Sequence, residues 1–529
     1  MSFITIISFL FFMGLVAVIS YIYTRGEKLH TTEGYYLAGR GLSAWVIAGS
    51  LLLTNLSTEQ LIGLNAEGYL FSLSSMAFEV IAAIALIIVA IFFLPRYLKG
   101  NIITIPDFLA DRYDEQTKQI VTILFLLGYI TNLMPPVLYT GAIAFNGIFN
   151  IDEILGVSRL SAFWIISATV GGIGAIYAIF GGLKAVVISD TVNAVGLFLG
   201  GLLIPILGLT VLGDGSLVEG VSIIINDTPE KLNAIGSSSE PVPFSALFTG
   251  LLLIGLFYWG TNQLVMQRAL AAKSLKEGQK GLLLAAAFKL FTPLIIILPG
   301  IIAFNIFGPD LIPEDAYPRL VEHVLPSPLL GFFAAALAGA ILSTFNSALN
   351  SSVTLFMLNV YKPYINPNAT QATLVKKGKY IGTGIAIFAI IVAPLIELVP
   401  EGFFVYLQTV NGLYNVPILT IIVVGYLTKR VPTIAAKISL AVFIFAYAFT
   451  QLIWDFGLNY IHILGILFVI CVGLMLIIGK IKPRETEFIL KENNSVDITN
   501  WKYLYPFSLA IIASIFLIYI FFSKLGIAG

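Results

Sequence analysis

Residues 46–64 read VIAGSLLLTNLSTEQLIGL. The run is apolar enough to lie in a membrane, yet Thr54, Asn55, Ser57 and Thr58 sit in its middle. These are poor helix formers whose side chains compete for backbone hydrogen bonds. The spacing predicts a membrane span interrupted near its centre.

The rest of the chain supplies the membrane. Hydrophobic residues make up 58% of 529 residues and charged ones 11%, whereas soluble domains run near 45–50% and 25%. Apolar blocks such as Phe3–Tyr23, Ala77–Pro95, Val121–Ile148 and Leu282–Phe304 approach or exceed the roughly 20 residues that cross a bilayer core. Backbone amides in lipid must be satisfied internally, so the blocks are helices, and about 14 are expected. The first has no basic residue before it and no small-residue cleavage pattern after it, so it reads as a span rather than a signal peptide. Arg25 and Lys28 follow it directly, which predicts both termini outside the cytoplasm of a multi-pass inner-membrane protein. With alternate loops placed inside, most of the 29 basic residues fall there, Arg112, Lys184 and Arg268 among them. Arg159, Lys231, Arg319, Lys524 and the mid-span Lys289 are the exceptions.

Zero net charge gives no reason to expect a nucleic-acid partner. The lone Cys471 excludes an internal disulfide. No His/Asp/Glu metal spacing suggests an enzyme.

Ionisable groups in the membrane cost at least ~2.5–3.5 kcal/mol at mid-span, so they are functional candidates. Glu79 and Lys289 are the useful pair, because one carboxylate and one ammonium in one polar cavity cancel in charge and offer acceptors and donors to an uncharged, hydroxyl-rich solute. A plain ion pair between two helices is the competing reading. Glu59 either joins the cavity or turns to a polar helix interface. Asp190 follows Gly181-Gly182-Leu183-Lys184 and is expected near the cytoplasmic surface, as a cap, a snorkelling charge or part of an ion exit path. A second weak helix, Gly255 to Gln263, has two glycines in mid-span. Interrupted helices are where secondary transporters bind solute and ion. Ala340, Ser343, Thr344 and Ser347 share one helix face, which would give a hard cation oxygen ligands, or else simple packing with hydroxyls bonded to i−4 carbonyls.

Taken in order, EGYYLAGR (33–40), NLSTEQLIG (55–63), IPDF (105–108), GGLKAV (181–186), YWGTNQ (258–263), Gln267-Arg268 and AILSTFNS (340–347) resemble the sodium/solute symporter family, and within it the sodium/galactose and sodium/glucose cotransporters. The resemblance runs over nearly the whole chain. It implies an all-α polytopic membrane protein of leucine-transporter-type (LeuT) fold. An extra helix and loop (1–43) would be followed by a first inverted five-helix repeat (44–210), an extracellular loop (211–243), a second repeat (244–428) and three C-terminal helices (429–529). It implies sodium-driven import of a hexose such as glucose or galactose through contacts with Asn55, Gln60, Glu79, Tyr258, Trp259, Lys289 and Gln408. Phe78 and Phe404 would cap that site. Sodium would be held by the carbonyls of Leu53, Leu56 and Ala340 and the hydroxyls of Ser343 and Thr344. Some members place a second sodium where Asp190, Asn346 and Ser347 stand here, which leaves one or two ions per cycle open. Ala82 and Gly255 replace polar sugar contacts of a bacterial relative and put the identity of the sugar in question. The rivals are another solute of the same family, such as sialic acid, myo-inositol or an amino acid, and a membrane sensor that does not transport.

Overall fold

In a computed structural model the described residues are 2–25, 31–100, 102–398, 403–454, 456–490 and 496–529. They are helical almost throughout, with two isolated β-bridges as their only extended pairing. Eleven helices are long and apolar enough to cross a membrane, and one bent pair makes a twelfth. Two shorter apolar helices, Ala44–Asn55 and Gly250–Gly260, are each continued by a second helix after a break, so the count among the described residues roughly fits the fourteen spans expected.

The helices are α1 Phe3–Thr24, α2 Ala44–Asn55, α3 Thr58–Leu70, α4 Leu73–Lys99, α5 Glu115–Phe149, α6 Arg159–Ile179 and α7 Leu183–Leu212. They continue as α8 Gly250–Gly260, α9 Gln263–Leu270, α10 Leu275–Lys289, α11 Thr292–Phe307, α12 Ser327–Ile365 and α13 Gln371–Leu398. The last four are α14 Leu407–Leu427, α15 Thr433–Leu452, α16 Tyr460–Ile481 and α17 Leu504–Phe521.

The predicted interruption lies between α2 and α3. Leu56 leaves the helical region at φ −73°, ψ 58°. The amide of Ser57 then bonds Asn55 O at 2.7 Å instead of the carbonyl four residues back. Ser57 becomes the N-cap of α3, its hydroxyl accepting from Gln60 N, which is the work for which serine is favoured at a helix start.

The second break corrects the expectation from the glycines. Gly255 stays helical within α8. The chain breaks at Thr261-Asn262, and the Asn262 side chain caps α9 by accepting from Leu264 N at 3.0 Å. A third irregularity bends α10 against α11 by 51°. It falls where Pro293 opens α11, and it leaves Lys289 as the last residue of α10.

Helices α6 and α7 form a reversing hairpin on α12. Gly382 lies near both Ile179 and Val353, whereas Asn193 and Phe333 pack on Gly339 and Gly200. Close approach through small residues is the usual means of packing helices in lipid. One of the tightest contacts joins α3 to α11, where a Cβ on Gly300 would stand 1.9 Å from Asn65 O and one on Gly68 would stand 2.4 Å from Ile297 O.

Candidate functional site

The two breaks and the bend converge on one cavity of ≈ 130 Å³, lined from α2–α5, α8, α12 and α14. A buried water needs roughly 10–15 Å³, so the space suits a small solute. Glu79 and Asn55 in its wall are backed by one buried cation. Lys289 Nζ is fully buried and donates to Glu79 Oε2 and Asn55 Oδ1. Glu79 also accepts from the Thr292 hydroxyl at 2.6 Å. The ammonium lies 5.6 Å from the centre of the Trp259 ring, within cation–π range. Helix ends explain the arrangement: the break leaves Asn55 as the last residue of α2, and the bend after Lys289 places the ammonium at a helix C-terminus, which favours cations.

Most of the expected solute contacts line this cavity: Asn55, Gln60, Phe78, Glu79, Tyr258, Trp259 and Gln408. Lys289 reaches it through Asn55 and Glu79. Ala82 and Gly255 line it too, so those two departures remove hydrogen-bonding groups from the wall itself. Phe404 stands on the helix that leads into Gln408, but its side chain lies outside those described. Sequence reasoning missed Thr292, Tyr129, Asn262, Asn411 and Tyr414. Asn411 follows Gln408 by one helical turn and Asn415 by two, a polar stripe that was there to be read.

Two of the sodium candidates, Ser343 and Thr344, meet the first break at Thr54. Neither Leu53 nor Leu56 receives the amide four residues on, since Ser57 N turns to Asn55 O and Gln60 N to Ser57 Oγ. The hydroxyl of Thr344 donates to Thr54 O at 3.0 Å, and the Ser343 and Thr54 hydroxyls are 3.3 Å apart. Carbonyl and hydroxyl oxygens, with Ala340 one turn before Thr344, form a donor set that suits a hard cation.

Asp190 is not near the surface. It is 1% exposed and pairs with the fully buried Arg268 at 3.2 Å. Arg268, expected in a loop, instead ties four elements together: its Nε donates to Ser50 Oγ (2.6 Å), which donates to Asp190 Oδ2 (2.6 Å), and Nη2 donates to Ser347. The Ser347 hydroxyl donates to Ser343 O at 2.6 Å, the i−4 bond of the packing reading. Asn346 presents its amide oxygen toward Gly174 on α6. Asp190 and Ser347 thus share the Arg268 guanidinium, and Asn346 faces another helix. Arg112, also expected as a loop charge, is fully buried and donates to the carbonyls of Gly425, Thr428 and Val431.

The layer beneath the cavity is closed: every residue from Gln263 to Leu270 is buried. There the two interrupted spans are stitched together. Leu42 N bonds Ala271 O (3.0 Å), Lys273 N bonds Leu42 O (3.2 Å), and Glu277 accepts from Ala44 N (2.9 Å). At the opposite end the loop before α8 is latched to the start of α4. Glu240 accepts from the Ser72 and Ser74 hydroxyls, both at 2.6 Å. Burial raises its pKa, but these bonds and that from Ser237 outweigh it and hold the carboxyl below its usual range. Lys231, its pKa lowered by burial, donates to Tyr69 O and Phe71 O at the end of α3.

Residues 35–442 match the model of the Sodium:solute symporter family. The chain is 44% identical over 527 residues to the uncharacterized symporter YidK of Escherichia coli (strain K12), covering 99% of this chain and 92% of that one. It is 34% identical over 456 residues to the sodium/glucose cotransporter of Vibrio parahaemolyticus, covering 81% and 82%. Its fold matches that of a Na+-coupled sialic acid symporter solved in a substrate-bound outward-open state, with a TM-score of 0.76 at 18% identity over 91% of this chain and 97% of that one.

Proposed function

Because the chain belongs to the sodium:solute symporter family, we propose that it imports a neutral hexose-type sugar together with sodium by alternating access. The observation that carries the solute reading is Glu79 in the cavity wall, paired with the fully buried Lys289 behind it. It is neutral as a unit, so it does not demand a charged solute, and it offers strong acceptors and donors to hydroxyls. Asn55, Gln60 and Gln408 extend the same chemistry, Tyr258 and Trp259 supply aromatic faces, Phe78 lies in the same wall, and Phe404 is assigned as a second cap. The 34% identity to a sodium/glucose cotransporter points the same way.

Sodium would sit among the carbonyls of Leu53, Leu56 and Ala340 and the hydroxyls of Ser343 and Thr344. Bound there, it holds α2 against α12 and so pre-forms the cavity floor. Each ligand then favours the other by the same factor. The two five-helix repeats are assigned to 44–210 and 244–428, with both termini outside the cytoplasm and solute entering from that side. Asp190, Asn346 and Ser347 are assigned to the path by which sodium would leave, or to a second ion. An inward charge gains ~2.3 kcal/mol per 100 mV and a tenfold sodium gradient ~1.4 kcal/mol. Together they support accumulation of a neutral solute by about a few hundredfold.

Trp259 supplies the test, since it lines the cavity. Addition of glucose or galactose to the purified protein changes its tryptophan emission in sodium but not in choline, and Trp259→Phe abolishes the change. An emission change of equal size and midpoint in choline would refute sodium coupling, and silence toward both sugars combined with a sodium-dependent response to an amino acid would refute the solute class.

A further inference from the structure

The Glu79–Lys289 pair neutralises itself, which leaves a second carboxylate in the same cavity. Glu59 stands in the first turn of α3 and lines the cavity beside Gln60, Asn411 and Tyr414. Among the described residues its carboxylate has no hydrogen-bond or ion-pair partner. The amide oxygen of neighbouring Gln60 is likewise buried without a partner. The ammonium of Lys289 is already committed to Asn55 and Glu79. The cavity therefore holds two carboxylates, only one of them paired with an ammonium, and Glu59 and the Gln60 amide oxygen are unused acceptors.

We propose that Glu59 is the charge filter of this cavity: it admits neutral and amine-bearing polyols and excludes solutes that carry a carboxylate, phosphate or sulfate. The inference rests on the reading of the cavity as a sugar site and narrows its substrate class. Hydroxyl and ammonium donors find open lone pairs at Glu59 and Gln60. An anionic substituent brought beside Glu59 meets like charge where solvent screening is poor. The alternative is that Glu59 only complements the positive N-terminal end of α3. In that case the charge of the solute would not matter to its substitution.

The test uses three six-carbon sugars, namely a neutral hexose, its amino-deoxy analogue and the matching uronic acid, competing for sodium-dependent uptake into proteoliposomes holding the full chain. Wild type takes the amino sugar at least as well as the hexose and the uronic acid at least about tenfold worse, the scale on which like charges discriminate. Glu59→Gln moves the uronic-acid-to-hexose ratio at least about tenfold upward and the amino-sugar-to-hexose ratio downward, whereas Glu59→Asp, which keeps the charge, holds the wild-type ratios. A wild type that takes uronic acid as readily as hexose overturns the filter while leaving the sugar reading intact. So does a Glu59→Gln variant whose affinities for all three solutes shift by one common factor. Failure of every hexose to compete in wild type would bring down the sugar reading and the filter together.

Discussion

Replacing Lys289 with methionine keeps the length and apolar stem of the side chain and deletes the ammonium alone. In the folded protein that ammonium is fully buried, and it holds Glu79 and Asn55 together across three helices. After substitution Glu79 retains the Thr292 hydroxyl at 2.6 Å but has no counter-charge. Removing one partner of a buried pair costs about 3–5 kcal/mol. Water entering the cavity moderates this toward the lower figure, and loss of the Trp259 contact adds about 0.5–1 kcal/mol. Lys289→Met should therefore destabilise by about 3.5–4 kcal/mol, and Glu79→Gln combined with Lys289→Met should recover at least about 2 kcal/mol of it. Uptake should fall by about ten- to a hundredfold in kcat/KM in the single and the double variant alike, since each loses a charge-assisted bond to solute worth about 1.5–3 kcal/mol. The assay is reversible unfolding in mild detergent, with uptake measured alongside. A Lys289→Met protein as stable as wild type, with no gain in the double variant, would refute the buried-pair argument.

Other expectations follow from the same geometry. Ser343→Ala with Thr344→Ala removes two of the five proposed sodium ligands, so the sodium concentration for half-maximal uptake should rise at least about tenfold, while solute binding at saturating sodium changes far less. Gly300→Ala forces a Cβ to within 1.9 Å of Asn65 O and should cost about 1–3 kcal/mol or more in thermal unfolding. Gly14→Ala, where nothing lies within 4 Å, should cost under about 1 kcal/mol. Glu240 has a depressed folded pKa, so its contribution is present above the unfolded value of about 4.3 and is lost as pH falls through the folded one. Hydrogen exchange at Leu73–Met76 should accelerate over that acidic range in wild type and show no such step in Glu240→Gln.

How much of this was legible depended on whether the deciding interaction was local. Composition and apolar blocks carry the span count, because a bilayer imposes length and hydropathy on each helix separately. The break at Asn55–Ser57 was legible because the residues that cause it stand at it. The break in α8–α9 was legible only as a region. Glycine permits a break but does not require one, and Gly255 stays helical while Asn262, a capping side chain, sets the position. Glu79 and Lys289 could be picked from the cost of burying charge, although nothing in the sequence says that they touch across 210 residues. Asp190 was misplaced for the same reason: the glycines and lysine before it suggest a surface, and the guanidinium that lets it be buried comes from 78 residues away. Arg112 and Arg268 looked like loop cations because charge counting registers sign, whereas buried carbonyls and a buried carboxylate are what satisfy them.

The central claim is sodium-driven import of a neutral sugar, and labelled uptake into proteoliposomes under an imposed inward sodium gradient and inside-negative potential tests it most directly. The account predicts that glucose or galactose rises above its external concentration and collapses to equilibrium when potassium replaces sodium. Sugar that merely equilibrates at the same rate with either cation would contradict it.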